Sequence, residues 1–208
     1  MKRLFDWVMS RRARQLMSQL RHLISPVGPV ADVGSGSGHN AECWRCLLNV
    51  EVDEYDVADL HWVGGGPILW DGVRIPAANG EYPLGTLLYV LQYARRPTAL
   101  LREMSRICSG RVVVLQSTYQ GRRGGIVLAL REFVWGRLAF YLARSVRVIR
   151  RQTCPLIPRR YFTRETLRRR FARAGFRVVA WESREWKGLN VSRDLYVLEP
   201  IRKSQSCP

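Results

Sequence analysis

Lysine is almost missing from this chain. Only three of its 208 residues are lysine, so 31 of the 34 basic side chains are arginine, and 17 acidic residues leave a net charge of +17. No stretch of about 18 uncharged apolar residues occurs, which argues against a membrane-spanning helix. The first residues, Met1-Lys2-Arg3-Leu4-Phe5-Asp6-Trp7, have neither an apolar run nor a small-residue cleavage site of the secretory kind. The five cysteines, at 43, 46, 108, 154 and 207, are too few and too scattered for a disulfide scaffold. The resulting expectation is a protein of the reducing cytoplasm. Cys43 and Cys46 form one C-x-x-C pair, but no second pair exists to complete a zinc site, so no metal is expected and buried thiols on a helix are the better reading.

What is present fits one domain spanning residues 1–208. Hydrophobic residues make up 47%, enough for a real core. The charge is unevenly placed. Residues 121–177 hold 16 arginines against Glu132 and Glu165 alone, a surplus of 14, while the rest of the chain carries a surplus of only 3. A folded basic patch of this kind steers anionic partners.

Strand and helix signals alternate along the chain. Residues 2–24 read as a helix, stopped by Ser25-Pro26 and Gly28-Pro29. Val30–Val33 reads as the first strand, 39–48 as a helix, Val50–Val57 as a second strand and Ile68–Trp70 as a brief third. Thr86–Leu91 is the expected fourth strand, with Leu84 as an alternative start. Pro97 then opens a helix to about Ile107. The unbroken apolar run within Arg111–Gln116 suits the middle of a parallel sheet. Residues 126–149 have helical tendency, with Arg137, Arg144, Arg147 and Arg151 near one face. Thr163 is a plausible N-cap and Gly175 a plausible C-cap for a helix at 164–174. Phe176–Trp181 and Leu195–Leu198 read as the last two strands. This alternation predicts an α/β fold with a doubly wound, mostly parallel seven-stranded sheet.

The most informative run is Val30-Ala31-Asp32-Val33-Gly34-Ser35-Gly36-Ser37-Gly38, a β-prone segment running straight into three alternate glycines. Such a turn marks a nucleotide-bearing cofactor at the end of a first strand. Its spacing departs from G-x-G-x-x-G. It is followed by His39-Asn40 rather than Gly-Lys-Ser/Thr, which closes the P-loop reading.

Taken with three further segments, this run resembles the class I S-adenosylmethionine-dependent methyltransferases, in the branch that acts mostly on small molecules. The further segments are Trp70-Asp71-Gly72-Val73-Arg74-Ile75-Pro76, Leu87-Leu88-Tyr89-Val90-Leu91-Gln92-Tyr93, and Tyr161-Phe162-Thr163 through Gly175-Phe176. The resemblance covers roughly residues 12–118 and 160–199. It implies a Rossmann-like fold with an N-terminal helix, S-adenosyl-L-methionine as cofactor, and methyl transfer to a small organic acceptor. By the same resemblance Gly34, Ser35 and Gly36 face the methionine part and Asp32 shapes the loop and engages the amino group. Asp56, or its rival Asp53, accepts from the ribose hydroxyls. Asp71 and Gly72 meet the adenine, and Leu88 with Tyr89 lines the far side.

Two positions depart from the family. Tyr82-Pro83 stands where an aromatic-Asp pair is common, and Gln92-Tyr93 where a histidine is common, which leaves a non-catalytic cofactor-binding homologue as one alternative. If the acceptor needs a base, His61 is a candidate because histidine titrates near neutrality. Tyr119, just past the fifth strand, is the other residue placed to meet a substrate. His39 could instead touch the cofactor, and His22 on the first helix has a structural role. The resemblance implies that 121–160 forms a lid over the acceptor. Its mixture of Ile126, Leu130, Phe133 and Val134 with arginine suits a hydrophobic acceptor, or peripheral contact with an anionic membrane. RNA methylation is supported only by positive charge. Nothing in the sequence bears on oligomeric state.

Overall fold

The computed structural model describes residues 2–20, 24, 28–145 and 158–201, with the backbone alone at 2, 4 and 135–145. The last turn of the predicted first helix (with His22), residues 146–149 of the predicted lid helix, and the side chains of Arg137, Arg144, Arg147 and Arg151 lie outside the described residues.

The elements run α1 (Lys2–Leu20), β1 (Val30–Val33), α2 (His39–Leu48), β2 (Val52–Asp56), β3 (Ile68–Leu69), β4 (Tyr82–Leu88), α3 (Pro97–Ile107), β5 (Cys108–Tyr119), α4 (Gly121–Ser145), α5 (Arg164–Arg173), β6 (Phe176–Trp186) and β7 (Val191–Pro200). One seven-stranded sheet has the order β3-β2-β1-β4-β5-β7-β6. Neighbours from β3 through β5 pair in parallel, and β7 alone runs antiparallel to both of its neighbours.

Both faces of the sheet are covered. Successive residues of a strand point to opposite faces. Accordingly Val112 and Val114 of β5 join Tyr196 and Leu198 of β7 in a core with α3 and α5, around Leu101, Met104, Leu167 and Phe171. Val113 and Leu115 join Leu195 and Val197 in a second core with α1 and α2, around Leu16, Leu20 and Trp44. The unbroken valine run of β5 is the sequence trace of this double burial. Each such side chain contributes about 1.5–3 kcal/mol.

Several boundaries differ from expectation, among them β2, which is shorter than Val50–Val57, and β5, which runs Cys108–Tyr119 rather than Arg111–Gln116. β4 begins at Tyr82 rather than Thr86 or Leu84, because the Tyr82 ring is buried against Tyr55 and the register shifts between Tyr82 and Leu84, where Pro83 has no N–H to give. It ends at Leu88, because Tyr89 turns to φ +64°. α4 begins at Gly121 rather than Ile126; glycine is a poor helix former, but packing of α4 on β5 and β7 outweighs that. The last two strands form a much longer hairpin than the apolar runs suggested. Ser192 and Asp194 broke the pattern in sequence, yet both are buried.

Asp194 is the reason the hairpin holds. Its carboxylate, wholly buried, accepts from Thr118 Oγ1 (2.7 Å), Ser183 Oγ (2.6 Å), Arg164 Nε (3.0 Å) and Tyr196 OH (3.3 Å). Arg164 also donates to Ser192 and Glu185, so the first residue of α5 is tied to β5, β6 and β7. Thr163 caps α5 by accepting from the Thr166 N–H, and Gly175 follows the C-cap with φ +82°. Asp194→Ala leaves the Arg164 Nε and the Thr118, Ser183 and Tyr196 hydroxyls without their shared acceptor and is expected to cost about 3–5 kcal/mol. Thr118→Val, which removes one donor, should cost about 1 kcal/mol. Urea unfolding of both variants checks the difference.

Candidate functional site

The C-terminal ends of β1, β2 and β4 meet at one edge of the sheet. The glycine turn leaves β1 there. It is fixed by Gly34 N–H donating to Tyr55 O (2.7 Å) and by Gly38 N–H donating to Ser35 O (3.1 Å). Gly34 has φ +77°, and a Cβ on it would stand 2.4 Å from Val90 Cγ2. Glycine is therefore required twice over at that position. Gly36 has φ +57°, but a Cβ there would meet nothing closer than 3.9 Å. The space above Gly36 is open, as a ligand lying on the backbone needs.

Asp32, one residue before the end of β1, is 1% exposed. Thr86 Oγ1 donates to one of its oxygens at 2.6 Å, and the other has no partner. Burial pushes this carboxyl up to about 7 against the opposing Thr86 bond, with Glu54 and Asp56 nearby adding to the rise. Ser35 is buried beside it, and its hydroxyl also lacks a partner. Two unsatisfied buried polar groups at one turn are unusual, because each costs free energy in the free protein.

Asp56 ends β2. It accepts Gly36 N–H at 2.9 Å and Val57 N–H at 2.7 Å. Burial raises its carboxyl from the usual range, and these backbone bonds work against the rise. Asp53 lies toward the other end of β2, opposite Ala31, and accepts from Tyr82 OH at 2.7 Å, so it is remote from the turn. Asp71 is exposed and accepts N–H groups of Val73 (2.8 Å) and Arg74 (3.0 Å), which hold its carboxyl below the usual range. Gly72 comes beside Val57, a Cβ on it standing 3.5 Å from Val57 Cγ1, and Trp70 N–H donates to Asp56 O. The β3 loop therefore closes on the end of β2.

Asp32, Gly34, Ser35, Gly36, Asp56 and Gly72 thus share one rim, with Asp71 beside Gly72 on its exposed side. Leu88 is placed differently. It packs in the core with Leu84 and Trp44 and backs the rim from below. Tyr89 stands at the rim itself, held at φ +64° by its N–H bond to Leu115 O, with the Arg12 guanidinium 5.0 Å from its ring centre. A bulky residue in the left-handed region is a strained conformation, of the kind that gathers at functional sites.

His61 lies against Gly38 of the glycine turn, with its Nδ1 buried and without a hydrogen-bond partner. His61 Nε2 pairs with buried Glu54, which also accepts from Arg45 at 2.7 Å, beneath the start of α2. Tyr119 lies four residues beyond the level where β4 ends, with its ring against Gly125 of α4 and its N–H bonded to Phe162 O. His39 bridges Ser37 Oγ (3.0 Å) and Asp6 (2.8 Å), so α1 is fastened over the glycine turn, helped by Phe5 packing on Trp62. Cys43 is half-buried and Cys46 exposed, which corrects the reading of both as buried thiols.

Sequence reasoning missed a polar chain on the other side of β4. Buried Gln92 accepts from Gln116 Nε2 at 2.7 Å and donates to Glu132 of α4 at 3.3 Å. Arg131 pairs with Glu132, reaches Ser117 at 3.0 Å and lies 4.2 Å from the Trp186 ring centre. Gln116 Oε1 is buried without a partner. Gln92 replacing the family's histidine was the one signal of this chain in the sequence.

No family profile matches the chain, and no curated protein matches it by sequence. Solved structures do. A SAM-dependent methyltransferase from Methanosarcina mazei is 11% identical over 88% of this chain and 97% of its own, with a TM-score of 0.61. Geranyl diphosphate C-methyltransferase from Streptomyces coelicolor A3(2), solved with Mg2+, geranyl diphosphate and S-adenosyl-L-homocysteine, is 12% identical over 92% and 80%, with a TM-score of 0.63. The [4+2]-cyclase SpnF is 11% identical over 92% and 80%, with a TM-score of 0.62. The chain therefore has the Rossmann-like fold of the class I S-adenosylmethionine-dependent methyltransferases, a fold on which a cyclase is also built.

The raised Asp32 has a measurable consequence. Below about pH 4 the carboxyl is protonated in both folded and unfolded chains; between about 4 and 7 only the folded chain keeps its proton. This contribution to stability is therefore present at low pH and lost as pH rises through about 7. Asp32→Asn keeps an acceptor for Thr86 and cannot ionise. Its melting temperature relative to wild type should rise between pH 5 and pH 8, and thermal unfolding at the two pH values checks the sign.

Proposed function

We propose that the protein transfers a methyl group from S-adenosylmethionine to a small, apolar organic acceptor. The observation that carries this reading is the unpaired, buried oxygen of Asp32 beside a glycine turn whose face is open at Gly36. A cationic amino group is the partner that such a carboxylate lacks. When bound, the cofactor supplies an electrophilic methyl carbon on a sulfonium centre.

The chain binds and orients. Asp32 and Ser35 take the amino-acid end, with Gly34 and Gly36 against it. Asp56 already accepts one N–H on each oxygen, and a carboxylate has about four acceptor sites, so it retains capacity for ribose hydroxyls. Gly72 and Asp71 flank the adenine side, and Leu88 supports the rim from the core.

The acceptor enters on the opposite side of β4, against Gln92, Gln116 and Glu132, with α4 as the lid. Leu128 is the buried apolar side chain on the inner face of that helix, while Ile126, Leu130, Phe133 and Val134 expose an apolar stripe on its outer face; the apolar character of the helix supports an acceptor with a hydrophobic body. Much of the rate then comes from alignment and exclusion of water, with the nucleophile held in line with the methyl carbon. With His61 engaged by Glu54, Glu132 is the carboxylate nearest this path.

Calorimetry with S-adenosylmethionine tests the cofactor half. Asp56→Ala should weaken binding by at least about tenfold, the equivalent of one charge-assisted hydrogen bond. Asp53→Ala should leave binding unchanged. Equal affinity in wild type and Asp56→Ala removes the pocket assignment. Transfer of labelled methyl into a fractionated cell extract, followed by product identification, tests the acceptor half.

A further inference from the structure

We infer that a cluster of arginines behind the acceptor side of the rim is a subsite for a phosphate or diphosphate group carried by the acceptor, an inference that rests on the methyltransferase reading for its biological sense. The turn after β4 is the starting point. Its Gln92 side chain belongs to the polar chain with Gln116 and Glu132, while its carbonyl accepts the N–H groups of Arg159 (2.8 Å) and Arg160 (3.3 Å). The backbone that carries Arg159 and Arg160 is thereby laid along the acceptor side.

Other arginines converge on the same place. Arg160 donates to Arg95 O at 3.3 Å, and Arg95 and Arg96 lead directly into α3. Arg170 of α5 reaches Thr98 Oγ1 at 3.1 Å in the first turn of α3, and its guanidinium carbon lies 5.6 Å from the Phe162 ring centre. Its Nε is buried with no partner. Burial, and then the charges of Arg160 and Arg173, lower the Arg170 proton affinity from the usual arginine value. Arg160 and Arg170 thus both reach the start of α3, one at Arg95 O and the other at Thr98, and Arg173 follows Arg170 by one turn of α5.

Nothing described offsets these charges. Arg106, Arg164, Arg169 and Arg177 each pair with a carboxylate, whereas none of Arg95, Arg96, Arg159, Arg160, Arg170 and Arg173 forms a salt bridge among the described residues. The first turn of α3 has no acidic residue, so the helix end adds to the positive potential. Guanidiniums without carboxylate partners suit a ligand with two or more negative charges and several acceptor oxygens, because planar N–H forks match phosphoryl oxygens in pairs. A carboxylate would neutralise only one of them. An acceptor held beneath α4 by its body, with a phosphoryl group at these arginines, fits this arrangement.

The test is calorimetric titration of the full chain with inorganic pyrophosphate, beside S-adenosylmethionine binding on the same preparation. Wild type should bind pyrophosphate. The double variant Arg160→Gln/Arg173→Gln should bind it at least about tenfold more weakly while keeping its cofactor affinity. No heat with pyrophosphate, or equal affinity in the variant, overturns the subsite. If pyrophosphate binds and S-adenosylmethionine does not, the methyltransferase reading fails and the anion site stands. A second arm separates two sources of phosphoryl groups: sedimentation with phosphatidylcholine vesicles containing phosphatidylglycerol. Binding to vesicles without binding to pyrophosphate overturns the subsite and assigns these arginines to a lipid surface.

Discussion

A parallel sheet buried on both faces constrains everything else in this molecule. With α1 and α2 on one side and α3 and α5 on the other, the middle strands have no exposed face on which to build a site. Chemistry is pushed to the C-terminal edge, where strands end, turns begin and backbone groups come free. The glycine turn, the end of β2, the β3 loop and the turn after β4 all meet there. The strain at Tyr89 and the close approach of Gly34 to Val90 are local costs of bringing them together.

Three buried carboxylates show how unevenly that edge is treated. Asp194 is surrounded by three hydroxyls and an arginine, and Glu54 is answered by Arg45 and His61. Both serve the fold. Asp32 has a single donor and an empty oxygen, in the same protein and at similar depth. A folding role alone would favour a second donor, as it received at the other two. The difference supports the proposal that the missing partner of Asp32 is a ligand.

The arginine surplus divides in a similar way. Arg164 holds secondary-structure elements together through Asp194, while Arg131 stacks on Trp186 beside Glu132. Arg160 and Arg170 reach the start of α3 and form no salt bridge among the described residues. Composition shows only that arginine is abundant; whether a given arginine serves the fold or faces outward depends on which carboxylate lies beside it.

The order of strands and helices and the glycine turn after β1 were legible in the sequence. Alternation of short apolar runs with helical segments, and three alternate glycines after an aspartate, are local patterns that backbone geometry obliges. Asp56 was legible for the same reason, since its spacing from Gly36 reflects one helix and one strand. The tertiary structure alone set Asp56 beside the turn and Asp53 away from it, because that depends on which end of β2 lies next to β1's glycines. It alone tied His61 to Glu54, buried Asp194 within a hairpin longer than its apolar runs suggested, and joined Gln92 to Gln116 and Glu132. These partners lie on different elements, 7 to 76 residues apart in the chain. Local spacing carries no record of which side chains a folded sheet brings face to face.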